Sequence, residues 1–269
     1  MTKFIDIHQA NVIGLGAEKY ASGLLSELES ASEIEIVTVY INRIKESFDI
    51  KCNIINVHYR LGILSRLFEI FCWRFYRDQK NEIVVLGDLP LNTSCKQYVL
   101  CHQSLMFKKY SLLTINFYKF FLFRLIFRIF LKKNDVVLVQ SWEMAQKINN
   151  KIGNKIDVRV LNLGSHYYGW PKFLRTKRIV SQIDTEAIRL FYPSAFYSHK
   201  NHRLLNLIKL ESSTDIIVTI DKNQLPDCKN SLEFKGRITR DEVYELYKEV
   251  DALLFLSRNE SLGLPILEA

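Results

Sequence analysis

The sequence lacks what a secreted scaffold, a repeat array or a membrane-spanning protein would show. Its five cysteines (Cys52, Cys72, Cys95, Cys101 and Cys228) form no Cys-x-x-Cys pair and cannot all be paired, which argues against a disulfide framework and for a reduced, cytoplasmic protein. The opening stretch MTKFIDIHQA reaches Asp6 and His8 before an apolar run of signal-peptide length accumulates, so no signal peptide is expected. No internal repeat or low-complexity tract occurs. The aromatic-rich segment 108–133 has no uncharged run longer than nine residues, against the ~20 that a membrane span requires. His199 and His202, three apart, have no cysteine or carboxylate cluster beside them, so no metal site is expected there.

What is present is a globular chain of 269 residues, 48% of them hydrophobic, long enough for one large or two ordinary domains with a substantial core. Lysine and arginine number 37 against 29 acids, a net charge of +8. That balance favours an anionic partner: nucleotide phosphates, an acidic membrane surface or nucleic acid.

Short β-branched runs alternate with helical patterns, the signature of βα units around a parallel sheet. The pattern predicts strands at 4–8, 34–40, 54–59, 82–88, 97–102, 135–141 and 157–163, with helices at 17–29, 61–79, 111–131 and 142–150. Around Gly169 and Pro171 the periodicity lapses, as in a linker. A second series follows, with strands at 189–195, 215–220, 232–236 and 252–257 and helices at 201–211 and 239–249. The expected organisation is an α/β chain of two Rossmann-like domains. The first spans 1–165, a linker 166–187, and a partial second domain 188–269.

Three stretches have the residue types that phosphate and sugar binding need. After the first strand, Gly14 and Gly16 precede a helix start, where glycines let backbone amides approach a phosphate or hydroxyl closely, although the same pattern also makes a plain tight turn. In FYPSAFYSHKNHRLL, Lys200 falls between a strand and a helix, placed to act as a point cation on a diphosphate at the carboxyl end of a sheet, or simply as a solvated lysine. In the final stretch NESLGLPILEA, Glu260 and Glu268 stand eight positions apart around a Gly-Leu-Pro turn. Pro265 suits the start of a helix, which sets the amides of Leu262, Gly263 and Leu264 at its positive end. Thr239 with Glu242 makes a capping box for the helix before it.

The string from Phe234 to Ala269 resembles the nucleotide-sugar signature of glycosyltransferase family 4, retaining enzymes of the GT-B fold whose hallmark is Glu-x7-Glu within Glu-Ser/Gly-x-Gly-Leu-Pro-x-Leu-Glu-Ala. The stretches YPSAFYSHKNH, GLGAEKYASGLLSEL and GDLPLNTSCKQYVLCHQS are similar to other parts of the same family. The resemblance implies that Glu268 holds the ribose hydroxyls and that Glu260 faces the donor sugar at the reacting centre. Ser261, Leu262, Gly263 and Leu264 would lie along the donor, Lys200 would neutralise its diphosphate, and His102 would contact its sugar. Many members carry Gly-Arg where this chain has Ser194-Ala195, so their Arg-Lys pair is reduced here to a lysine and a second charge would have to come from another cation. The sequence contains no Asp-x-Asp; the Mn²⁺-dependent scheme of the other major glycosyltransferase fold is not supported, and neither metal nor cofactor is expected beyond the nucleotide sugar itself.

Segment 108–133 contains seven cations, eight Phe or Tyr and no acid. Arg124, Arg128 and Lys132 repeat every four residues and so share one predicted helical face. Two readings stand: an interfacial helix with its aromatics in an anionic membrane surface, or a half-buried domain helix whose arginine stems cover apolar surface. The similar segment 60–80 favours the first, and with it a lipid-linked acceptor at the inner face of the plasma membrane; the family resemblance implies a glycan acceptor in bacterial surface polysaccharide synthesis such as O-antigen, capsule or lipopolysaccharide. Nucleic acid is not expected, since no recognised module surrounds the basic stretches. Family members ordinarily continue past the second glutamate, so the chain reads as C-terminally truncated, with Glu268 on a helix too short to form. An inactive remnant or binding protein of the same fold, and a nucleotide-sugar epimerase, are the alternatives.

Overall fold

A computed structural model describes residues 2–10, 12, 15–41, 52–57, 63–77, 79–102, 104–108, 110–152, 156–161, 188–209, 214–228, 231–260 and 263–269. Its internal contacts divide the chain into two compact units, Met1–Trp170 and Pro171–Ala269. The expected linker, 166–187, lies outside the described residues.

The first unit carries seven parallel strands: β1 (Lys3–His8), β2 (Ile34–Ile41), β3 (Asn53–Asn56), β4 (Glu82–Val85), β5 (Gln97–Cys101), β6 (Val136–Val139) and β7 (Asp157–Val160), in the order β3-β2-β1-β4-β5-β6-β7. Among the described residues, four α-helices lie between them: α1 (Leu15–Ser30), α2 (Ile63–Tyr76), α3 (Ile115–Phe130) and α4 (Trp142–Ile152). The order reverses direction between β1 and β4, which opens a crevice at their carboxyl ends, the usual ligand position in open α/β sheets. Strands buried on both faces read as continuous apolar runs, and Val136, Val137 and Val139 of β6 are all buried, as are Val99, Leu100 and Cys101 of β5.

The second unit carries β8 (Ile188–Tyr192), β9 (Thr214–Val218), β10 (Leu232–Phe234) and β11 (Ala252–Leu253), parallel and ordered β10-β9-β8-β11. Helix α5 (Arg240–Glu249) covers one face, where Phe191 and Ile217 pack on Leu246; on the other, Tyr192, Ile216 and Val218 pack on Leu205. The capping box holds as expected: the Thr239 hydroxyl accepts from the Glu242 amide and the Glu242 carboxylate accepts from the Thr239 amide.

Several elements differ from their sequence expectations. The helix expected over 201–211 is absent from its described residues; 3₁₀ turns at Ser198–Lys200 and His202–Asn206 stand there instead, separated by Asn201 at a left-handed φ of 61° that interrupts helical propagation. Strand β4 ends at Val85, ahead of Asp88 in the left-handed region at φ 68°. The ladder between β8 and β11 stops because Pro193 has no N–H to continue it, the last bond running from the Leu254 amide to the Phe191 carbonyl. Helix α3 ends at Phe130, so Lys132 leaves the face it was expected to share with Arg124 and Arg128; its ammonium donates to the Thr93 carbonyl. The helix expected to be too short to form is present as a single turn, α6 (Leu264–Glu268), with Pro265 in its first turn and Gly263 before it at φ 74°.

Candidate functional site

In the second unit the residues singled out by the sequence gather beyond the carboxyl ends of β8 and β11, two adjacent strands. β8 delivers the chain through Pro193 to the 3₁₀ turn that ends at Lys200, and β11 delivers it to Glu260. The loops are fastened to each other, because the Arg258 amide donates to the His199 carbonyl at 2.8 Å. Lys200 Nζ then lies 2.6 Å from Glu260 Oε1, with the two side chains 17% and 22% exposed. The expected diphosphate cation and the expected sugar-facing carboxylate are therefore paired with one another.

The support for Lys200 comes from residues the sequence did not flag. The Tyr192 hydroxyl, at the end of β8, donates to the Lys200 carbonyl, and the Ser194 amide donates to Thr219 Oγ1 at 2.8 Å, which ties the loop after β8 to the end of β9. His202 is buried beneath this loop between the rings of Tyr192 and Phe196, at 4.9 and 5.3 Å. Burial holds its pKa below the ordinary imidazole value, against the opposing pull of the Ser194 backbone. His199 is lowered too, first by burial and then by the Lys200 charge, with Glu260 working the other way. Both imidazoles are therefore favoured in the neutral form beside a lysine that carries the positive charge.

Glu268 sits apart from the Lys200–Glu260 pair in its contacts. Its Oε2 lies 3.5 Å from the Tyr247 hydroxyl, which also approaches the Pro265 carbonyl at 3.4 Å. Tyr247 is wedged edge-on against Phe191 at 5.4 Å, and burial followed by the Glu268 charge pushes its pKa upward. The phenol thus stays protonated and holds α6 to α5 from the sheet side. Of the other expected donor residues, Gly263 and Leu264 form the start of α6, whereas Ser261 and Leu262 lie outside the described residues.

In the first unit, His102 follows β5 directly, and its backbone N–H donates to Asp88 Oδ1 at 2.5 Å. The left-handed turn at Asp88 aims its carboxylate there, while its own amide donates to the Leu100 carbonyl at 3.3 Å. The His102 ring interacts with the Gln140 side chain and the Leu86 backbone; burial lowers its pKa, with Asp88, Gln140 and Leu86 opposing. Gly16 is the second residue of α1, and Gly14 lies outside the described residues. His8 closes β1 with its ring fully buried, Nε2 3.5 Å from Glu69 Oε1 and edge-on to Trp73 at 5.2 Å. Neither Asp88, Gln140 nor Glu69 was singled out from the sequence; the Gly-Asp pair before Leu-Pro is the one local signal that a special turn stands at Asp88. No group of three or more His, Cys, Asp or Glu side chains able to hold a metal occurs among the described residues.

No protein-family model and no curated protein matches the chain. Solved structures do. Sucrose-phosphate synthase from Thermosynechococcus elongatus aligns over 99% of this chain and 78% of its own, with a TM-score of 0.62 at 11% identity. HepE from Anabaena, solved in complex with UDP-glucose, aligns over 99% and 77%, with a TM-score of 0.64 at 14% identity. The lipopolysaccharide outer core galactosyltransferase WaaB, in its apo form, aligns over 100% and 78%, with a TM-score of 0.57 at 16% identity. This chain has the GT-B fold. At such identities the likeness is one of architecture, and within the GT-B frame the second sheet is the one whose carboxyl edge carries the Lys200–Glu260 pair.

Proposed function

We propose that the chain is a retaining glycosyltransferase that moves a sugar from a nucleotide-diphosphate donor to a glycan acceptor in surface polysaccharide synthesis. The observation that carries this reading is the Lys200–Glu260 pair, 2.6 Å apart at the carboxyl edge of β8 and β11, in a fold shared with a protein solved with UDP-glucose bound. In the proposed reaction the bond from the sugar's anomeric carbon to the diphosphate breaks, the acceptor hydroxyl oxygen bonds to that carbon on the same face, and its proton passes to the departing phosphate oxygen. Charge develops on the diphosphate, so a fixed cation in a partly dry site lowers the barrier.

Lys200 is that cation. Its resting partner, Glu260, is released when the diphosphate takes the ammonium, which frees the carboxylate to face the donor sugar. Arg258, exposed and two residues before Glu260, supplies the second charge that Ser194-Ala195 does not. Glu268 takes the ribose hydroxyls and His102 the donor sugar. The exposed aromatic and cationic surface of α3, together with α2, lets the protein lie peripherally on an anionic membrane, which suits a lipid-linked acceptor; no helix among the described residues is long and apolar enough to cross one.

A thermal-shift screen against a panel of nucleotide sugars tests the donor step. At least one donor should raise the melting temperature of the wild type and raise that of Glu268→Ala less. A panel without any stabilising donor would rule the reading out, and donor hydrolysis or epimerisation without acceptor would favour the epimerase alternative.

A further inference from the structure

The donor reading leaves unused an open-sided groove of about 460 Å³ in the first unit. Tyr110, Phe117, Phe121 and Leu125 give it apolar walls, and Arg124, Arg128 and Lys151 give it charge. Positions 117, 121, 124, 125 and 128 recur at helical spacing along one stripe of α3, whereas Phe120 and Phe127 point into the core and are buried. Lys151 comes from the last turn of α4.

The cations are oriented without being neutralised. Arg128 Nη2 donates to the Lys151 carbonyl at 3.0 Å, and Arg124 Nη1 to the Met106 carbonyl at 3.5 Å. Carbonyls fix a guanidinium's direction but carry no net charge, and no carboxylate is among the described residues that line the groove. The matching ligand therefore has an anionic head and an apolar body. Around the groove the surface continues outward as exposed apolar residues, with Leu113 in the turn before α3 at 96% and Ile115 and Tyr118 on the helix at 84% and 63% exposure. A ligand anchored in a bilayer could reach the groove without leaving its own apolar medium.

We propose that this groove binds the phosphate headgroup of an anionic membrane lipid, with Arg124 and Arg128 on the phosphate and the chain along Phe117, Phe121 and Leu125. The proposal rests on the membrane-facing reading of α3 and narrows it from a charged surface to a site. Arginine suits the role because its planar fork meets two phosphate oxygens at once.

Co-sedimentation with vesicles of phosphatidylcholine, with and without phosphatidylglycerol, tests it through two charge-matched double variants. Arg124→Gln with Arg128→Gln should weaken binding to the anionic vesicles about 30-fold, from the loss of two cations at the surface. Lys119→Gln with Lys133→Gln, which removes the same charge away from the groove, should weaken it by no more than about threefold. Arg124→Lys with Arg128→Lys keeps the charge and controls for folding: its melting curve should be unchanged, and its binding should fall between that of the wild type and that of the glutamine pair, because the bidentate fork is lost. Equal losses from both glutamine pairs would overturn the groove while leaving a membrane-facing helix. Wild-type protein that ignores anionic vesicles would overturn both. Displacement by inorganic phosphate as readily as by a soluble short-chain phosphatidylglycerol would reduce the groove to an ion site and overturn the lipid proposal.

Discussion

Replacing either member of the Lys200–Glu260 pair should change nucleoside diphosphate affinity, and in opposite directions. The ammonium rests 2.6 Å from the carboxylate and both side chains are mostly covered. A charge-assisted hydrogen bond of that kind contributes about 1.5–3 kcal/mol, and screening at the remaining exposure leaves about 1 kcal/mol that an incoming diphosphate must overcome. Glu260→Gln removes this competitor and the repulsion between two anions, so a free nucleoside diphosphate should bind about 5-fold tighter. Lys200→Gln removes the cation itself, about 2 kcal/mol, and should weaken binding about 30-fold. The double variant should bind slightly better than Lys200→Gln but well below the wild type, because without the lysine Glu260 has nothing to sequester and its removal relieves only the anion repulsion. Isothermal titration at low ionic strength with the diphosphate of the base selected by the donor screen reads all three. Glu260→Gln that weakens binding as much as Lys200→Gln does would refute the competition between carboxylate and phosphate.

Three further outcomes follow from the packing. Asp135, buried at the start of β6, accepts from the Gln97 amide at 3.1 Å, the Gln97 side chain at 3.1 Å and the Lys132 amide at 2.8 Å. Asp135→Ala strands these donors and should cost about 3 kcal/mol, read as a lower urea midpoint. Gly236→Ala would place a Cβ 2.8 Å from Asp221 Oδ1 at a φ of 65°, so it should destabilise the second unit by about 1–2 kcal/mol; unchanged hydrogen exchange in β9 and β10 would contradict this. His102, His199 and His202 all have folded pKa values below their ordinary 6.5. The unfolded chain thus binds more protons just below that pH, and stability should be full above it and fall as the solution is acidified toward the folded values. The melting temperature at pH 5.5 should therefore lie below that at pH 7.5, and His202→Gln should shrink the difference.

Much of the frame was legible because periodicity reports burial. Runs such as Val136–Val139 are buried on both faces, and such runs announce strands without any knowledge of their neighbours. Strand ends were less legible, since they are decided by partners: β4 stops where Asp88 turns to accept from His102, and β11 stops where Pro193 ends the ladder of β8. The stretch at 201–211 reads as helix by composition, but Asn201 at positive φ breaks it into 3₁₀ turns, and that break is what carries Lys200. For the site, the sequence pointed to Lys200 and Glu260 separately, and only the fold brings them into contact. Tyr247 under Glu268 and Gln140 beside His102 had no local signal, because their roles come from residues distant in the chain. Lys132 shows the converse: a regular spacing suggested a shared face, yet the helix ends first and the ammonium turns to the Thr93 carbonyl.

The most direct test of the central claim is a transfer assay with a radiolabelled nucleotide-sugar panel and membrane-derived glycan acceptors, comparing wild type with Glu260→Gln. The wild type should give a labelled product whose anomeric configuration matches that of the donor, and the variant should lose it despite tighter diphosphate binding. Product of inverted configuration, or equal transfer by Glu260→Gln, would contradict it.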